Sequence, residues 1–388
     1  MARLAGSAKL LRAMNESAAL AHLLDSGTLT RNHLRELTGL SKPTTSEVLR
    51  RLTEAGLAVV TGHTSGGPGP NAEIYAANPE AAYAVAVSVR DSADRRRPAL
   101  AIAISDLSGV TRARTEVAVD FDETTVEAAI QRGINEQCAL SGVPVDRLRR
   151  VQLGIPGSYD PRTDTIHHVH VPGLDRPGLI DELRRALGTP IGVENDVNLA
   201  AVAERRRGVA GNADSFALLW FGEGIGLAID LGGTLLRGAS GGAGEIGYVP
   251  LGLSPSPALR SDLHDVVGGR AVLALAKEHG IEAATPGEAV TQAGPAMLAE
   301  LGARIALSLA IVVAVLDPAM VVLAGEVGQA GGKALRDAVH TATRIASPLE
   351  PEIVVTSLTD DPVLLGALDA GLAGVREDLI RNLHNLTR

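Results

Sequence analysis

The sequence predicts an α/β protein preceded by a small winged helix-turn-helix. Three observations carry this. Residues 1–78 hold eight basic and six acidic side chains, net +2, which leaves −11 for the remainder of a chain whose formal charge is −9. Within that slightly basic stretch, a helix, a short turn at Gly39 and a Ser/Thr-rich polar helix follow one another. From Ala81 onward the texture changes to short apolar runs alternating with helical patterns, as in a sheet covered by helices. At about 150 residues per domain, 388 residues suffice for two or three domains.

The front segment is read element by element. Leu10 to Leu24 has apolar residues at helical spacing, and Asp25-Ser26-Gly27 ends it. Thr30 caps a second helix, RNHLRELTG, closed by Gly39. Ser41 caps a third, with Pro43 in its first turn where a missing amide donor is harmless, and this helix runs to Gly56. Ser41, Lys42, Thr44, Thr45 and Ser46 lie at its N-terminal end, where short side chains reach phosphates and base edges of a major groove, and Arg50 and Arg51 lie further along. Leu37, Leu40, Val48, Leu49 and Leu52 are expected beneath it. LAVV and IYAAN, joined by GHTSGGPGPNAE, read as the two strands and loop of a wing, so residues 1–78 are expected to form a DNA-binding domain. A helical bundle for protein contacts is the alternative.

Residues 79–388 are expected to form the second part. Its strands are YAVAVSV, ALAIAIS, RVQLGIPG, PIGVEND, SFALLWFG, IGLAIDL, AMVVLAG and EIVVTSL. Ligand sites in such architectures gather at the carboxyl ends of strands. One such end, Ile191 to Asn198, delivers Asn195, Asp196 and Asn198, amides and a carboxylate suited to vicinal hydroxyls; capping of the helix by Asp196 or Asn198 is the competing role. A second, Gly241 to Tyr248, presents Glu245 from a glycine-rich turn whose small residues permit close approach to a ligand; an ordinary turn with an exposed Glu is the alternative.

Composition narrows the function. The acidic total argues against a chain that coats nucleic acid or an anionic membrane along its length. Three Phe, four Tyr and one Trp leave a core of aliphatic residues and argue against a bank of stacking rings. One cysteine, Cys138, allows no intrachain disulfide and no thiolate zinc cage, as suits a reducing cytosol. The N-terminus lacks a long apolar segment with a cleavage site, and the stretch from Ala303 to Leu316 reads as a buried core helix rather than a membrane span.

At these residues the chain resembles the ROK family of sugar kinases and sugar-responsive repressors over essentially its whole length. LGIPGSYD is similar to the family's turn before the sugar site, VENDVNLAAVAE to its END-x-N block, and LLRGASGGAGEIGY to its hairpin ending in Gly-Glu-Ile-Gly-His. The resemblance implies a two-lobed actin-like ATPase fold behind the winged helix, its C-terminal helix returning to the first lobe, with Asn195, Asp196 and Glu245 on sugar hydroxyls. It places His170, in VHVPGL, at a further contact, and gives Tyr248 and His264 positions at the rim.

The departures bear on activity. Family kinases open this domain with Asp-x-Gly-Gly-Thr, whereas AVSVRDSADRRRPAL has no glycine to cradle phosphate. Asp230-Leu231-Gly232-Gly233-Thr234 matches the string but is expected to be a hairpin turn. Gly222-Glu223-Gly224 puts a carboxylate where a second phosphate loop would be Gly-Thr-Gly. The family's zinc ligands are a His and three Cys; here the His position is Tyr248 and PLGLSPSPALRSDLHDVVGG holds no Cys, so zinc is expected to be absent. The wing tip, Gly66 to Pro70, lacks the arginine of related repressors.

The expectation is therefore a cytoplasmic bacterial repressor with no catalytic residues and no cofactor, binding operator DNA and a small carbohydrate as a homodimer or homotetramer. A regulator without a sugar ligand is the first alternative, and a sugar kinase the second.

Overall fold

A computed structural model describes residues 2–64, 72–90, 99–120, 123–168, 171–252 and 261–385. Contacts divide the chain into two units. Unit 1 comprises Met1–Leu153, Ile180–Gly192 and Ala367–Arg388; unit 2 comprises Gly154–Leu179 and Val193–Gly366.

Unit 1 begins with helix α1 (Ala2–Ser26), strand β1 (Thr28–Thr30), helices α2 (Arg31–Thr38) and α3 (Lys42–Glu54), and strands β2 (Ala58–His63) and β3 (Glu73–Ala77). Both expected caps are present: the Thr30 side chain accepts from His33 N and the Ser41 side chain from Thr44 N. Gly39 closes α2 at φ 69°, a left-handed geometry that suits glycine. The three strands form one antiparallel sheet in the order β1-β3-β2, which is the wing at the base of the helix-turn-helix. Leu20, Leu23, Leu34, Val48, Leu49 and Leu52 fill the core of this module. Leu37, expected beneath α3, is instead 50% exposed, because Leu34 already occupies the inward position one turn earlier.

The same unit holds strands β4 (Tyr83–Arg90), β5 (Ala99–Asp106) and β6 (Thr111–Ala118), an antiparallel meander, and helix α4 (Val126–Ser141). Strand β7 (Leu148–Ile155) leads to the short hairpin β8 (Ser158–Asp160) and β9 (Thr165–His167), then helix α5 (Leu179–Leu187) and strand β10 (Ile191–Asn195). The first large sheet has the order β10-β7-β4-β5-β6.

Unit 2 continues with helix α6 (Asp196–Arg207) and strands β11 (Ser215–Phe221), β12 (Ile225–Leu231) and β13 (Thr234–Leu235). Then come β14 (Pro250–Leu251), β15 (Ser261–Asp262), helices α7 (His264–Val267), α8 (Gly269–Glu278), α9 (Pro286–Thr291) and α10 (Pro295–Leu316), strand β16 (Met320–Ala324), helix α11 (Gly325–Ala346) and strand β17 (Glu352–Val355). Its mixed sheet runs β13-β12-β11-β16-β17, parallel from β11 through β17 and antiparallel on the other side. The long apolar α10 extends over 22 residues and has the length and composition to cross a membrane, yet its Leu301, Ile305, Leu309 and Val313 pack into the aliphatic core of this unit. Helix α12 (Pro362–Asn385) completes the chain's elements, its later part belonging to unit 1.

In unit 1, Leu379 and Leu383 of α12 pack into the winged-helix core, and Ser17 of α1 donates to the Ile380 carbonyl at 3.2 Å. Leu24 and Leu379 also pack against Ala82, Ala84, Leu107, Leu372 and Val375. One aliphatic seam thus joins the winged helix, the meander and the end of α12.

Candidate effector site and nucleic-acid interface

In unit 2 the end of β10 turns directly into α6. Asn195 is the cap: its side-chain oxygen accepts from Asn198 N at 3.1 Å while Nδ2 donates to the Gly157 carbonyl at 3.0 Å. The capping role expected of the neighbouring residues therefore falls to Asn195, which keeps one amide hydrogen for any ligand. Its bond to Gly157 ties α6 to the turn of LGIPG, where a Cβ would come within 2.5 Å of the His167 carbonyl oxygen.

Asp196 is the first residue of α6, and one of its oxygens accepts from Val197 N at 2.8 Å. Burial pushes its carboxyl up to about 7, against the Val197 hydrogen bond, and the charge of Glu245 adds to the rise. Burial also raises Glu245, while His168 and His264 counter it. Two carboxyl groups that resist ionisation thus sense each other, and each can both donate a hydrogen bond to a hydroxyl and accept one from it. Behind them, Asn198 Nδ2 donates to Glu194 at 2.9 Å and Arg237 holds the other Glu194 oxygen at 2.6 Å. The Asn198 oxygen is buried without a partner in the described structure.

In the glycine-rich turn before Glu245, Gly241 and Gly244 are close-packed against the protein's own backbone, while Gly242 is not. A Cβ on Gly241 would lie 2.1 Å from the Tyr159 carbonyl oxygen, and one on Gly244 1.9 Å from that of Leu227. The expectation that these small residues admit a ligand is corrected accordingly: they let the Glu245 loop seat on β8 and β12.

The rim is a cluster of three rings. Tyr248, about half exposed, lies 5.1 Å from His168 and 5.3 Å from His264, centroid to centroid, the latter edge-on. The imidazole of His264 covers Gly247 so closely that a Cβ there would meet Nε2 at 2.1 Å. His168, at φ 58°, was missed because His167, His168 and His170 share one short segment with no periodicity to rank them. His170 lies outside the described residues, as do the wing tip 66–70 and residues 91–98 at the family's first phosphate loop. Among the described residues no three His, Cys, Asp or Glu side chains gather as a metal site, and the rim offers two imidazoles and a phenol but no thiolate.

Asp230-Leu231-Gly232-Gly233-Thr234 is a two-residue hairpin turn between β12 and β13, with Gly232 and Gly233 at φ 62° and 83°. The Asp230 carboxylate is buried on Arg205 and Gly233 N, so it is a structural anchor rather than a phosphate ligand. Elsewhere in unit 2, burial raises the carboxyl of Glu326, and the charges of Glu223 and Glu288 raise it further.

On α3 the side chains expected to reach DNA differ in availability. Ser41 and Lys42 are exposed; Ser41 Oγ lies 2.8 Å from Thr44 Oγ1, and Ser46 Oγ donates to the Lys42 carbonyl. Thr45 is fully buried, its hydroxyl donating to the Ser41 carbonyl at 3.0 Å, so it supports the helix from within instead of facing DNA. Arg51 bonds Glu47 at 2.8 Å and Glu16 of α1 at 3.3 Å, which makes it a strut between α1 and α3. Arg50 stays on the exposed face, held by Glu47 and Glu54.

Residues 97–372 match the ROK family and residues 11–67 the MarR family. The bifunctional enzyme NanE/NanK of Brucella suis is 34% identical over 194 residues, 47% of this chain and 35% of that protein; the chain thus spans about a third of that relative's length. The xylose repressor of Caldicellulosiruptor bescii is 20% identical over 396 residues, covering 94% of this chain and 96% of the repressor. Among solved structures, a ROK family transcriptional regulator described as a homologue of the E. coli MLC protein superposes with a TM-score of 0.73, at 19% identity, covering 97% of this chain and 99% of its own.

Proposed function

The chain belongs to the ROK family, and from that membership we propose that it is a DNA-binding transcriptional repressor whose operator affinity is set by a small carbohydrate. The observation that carries this reading is full-length similarity to a xylose repressor, winged helix included, together with the Asp196 and Glu245 pair capable of accepting from hydroxyls. Asn195, Asp196 and Glu245 form the floor of the effector site in this reading, with Tyr248 and His264 at its rim, His168 joining them and His170 nearby in sequence. Ser41, Lys42, Thr44, Ser46 and Arg50 face DNA. The protein acts in the cytoplasm as a homodimer or homotetramer, which places two recognition helices on a symmetric operator.

The protein is not a kinase in this reading. Residues 79–108 contain no glycine for the first phosphate loop, and Gly222-Glu223-Gly224 carries a carboxylate at the expected second loop, close enough to Glu326 to raise its carboxyl further. Asp196 then serves binding alone. The effector acts by population shift: a coupling of about 1 to 3 kcal/mol changes operator affinity about 5 to 150-fold.

The test is a panel of monosaccharides and disaccharides titrated by calorimetry, followed by operator release. Asp196→Ala should abolish release by the active sugar and leave DNA affinity intact; release that persists in this variant refutes the site. Sugar-dependent ATP consumption lost in Asp196→Asn would restore the kinase reading.

A further inference from the structure

The exposed face of α3 carries a charge arrangement that phosphate binding does not require. Glu47, Arg50, Arg51 and Glu54 follow at i, i+3, i+4 and i+7, on the side opposite the buried Val48, Leu49 and Leu52. Their charges sum to zero. Glu47 grips Arg50 side-on with both carboxylate oxygens: Nε donates to one at 2.9 Å and Nη2 to the other at 2.7 Å. Glu54 takes a hydrogen of Nη1. The arginine hydrogen bonds hold the Glu47 carboxyl down at about 2, so it carries its charge at neutral pH.

A carboxylate on a face that meets an anionic duplex weakens sequence-independent attraction. What it supplies here is aim. A guanidinium has five N–H donors, and three of those on Arg50 are held; the remaining two sit one on each terminal nitrogen. Two such donors are what the O6 and N7 edge of guanine accepts in the major groove. A free arginine would follow phosphates; a gripped one is confined to a narrow arc over the bases.

We propose that Glu47 is a specificity-determining residue of the DNA interface, a positioning residue that holds Arg50 as a guanine reader. This rests on the DNA-binding reading above.

The experiment enriches randomised duplexes on the full-length protein, then measures affinity for the enriched duplex, for its guanine-to-adenine change at each enriched guanine, and for unrelated duplex, at several salt concentrations. Wild type should prefer guanine about tenfold or more at one position of the half-site. Arg50→Lys should lose that preference. Glu47→Gln should reduce it below about threefold, bind unrelated duplex more tightly, and steepen the salt slope by about one. Glu54→Gln, which leaves the two-bond grip, should keep it. A Glu47→Gln protein that retains the guanine preference, or that loses all DNA, overturns the assignment while the DNA-binding reading stands. Failure of wild type to enrich any duplex overturns both.

Discussion

Asp196 is a carboxyl group whose ionisation the fold opposes, and the sign of that opposition is testable. Its ordinary value is 3.8 and its folded value about 7. Below the unfolded value both states hold the proton. As pH rises towards 7 the unfolded chain loses its proton and the folded chain retains it, so stability from this group declines through that window and levels off above it. Asp196→Asn should therefore lose less melting temperature between pH 4.5 and 7.5 than wild type, read by thermal denaturation without ligand; parallel curves would mean the carboxyl is not strained. Thr45 carries the second residue-scale prediction. Its hydroxyl is buried on the Ser41 carbonyl, so Thr45→Ala should cost about 1 kcal/mol of stability and leave the DNA contacts of α3 in place, as unfolding and DNA titration together would show. The sequence placed Thr45 among the DNA-facing residues because a Ser/Thr run at a helix start offers hydroxyls on every side. Which of them turn inward depends on what packs beneath, and that is not local information.

Elements were legible where burial imposes a pattern. All eight apolar runs from YAVAVSV to EIVVTSL became strands; β4, β11 and β16 are buried along most of their length and so have to be apolar throughout, while β10 and β17 are only half-buried. The strand TRARTEVA was not anticipated: β6 is a sheet edge, mostly exposed, and nothing in its composition separates it from a polar loop. The helix that presents Asp196 is fixed by contacts at both ends of its first turn. Asn195 caps it, and in unit 2 the backbone of Leu199 lies against Gly366 of α12, where a Cβ would come within 1.8 Å of the Leu199 carbonyl oxygen. Gly366→Ala should cost about 1 to 3 kcal/mol through forced displacement of α6 or α12, seen as a lower denaturant midpoint, and should weaken effector binding more than an alanine at exposed Gly294, which meets nothing within 4 Å. Equal effects at the two glycines would remove α6 placement as the cause.

At the scale of the molecule, charge counting set residues 1–78 apart as an expected domain but gave no sign of what completes their core. Leu383 reaches it from the far end of the sequence, and no periodicity links residues so distant. Leu383→Ala should destabilise the winged helix by about 2 to 4 kcal/mol, visible as earlier loss of DNA binding on heating and as faster proteolysis within residues 1–63. The contact between Ser17 and Ile380 spans 363 positions. At about 5 to 20 residues per second, a ribosome needs roughly 20 to 70 s to make the second partner after the first. Through that interval the nascent reading head has an unsealed apolar face. It closes only when the last helix of the chain has been made, so the winged helix reaches its full stability only in the finished chain.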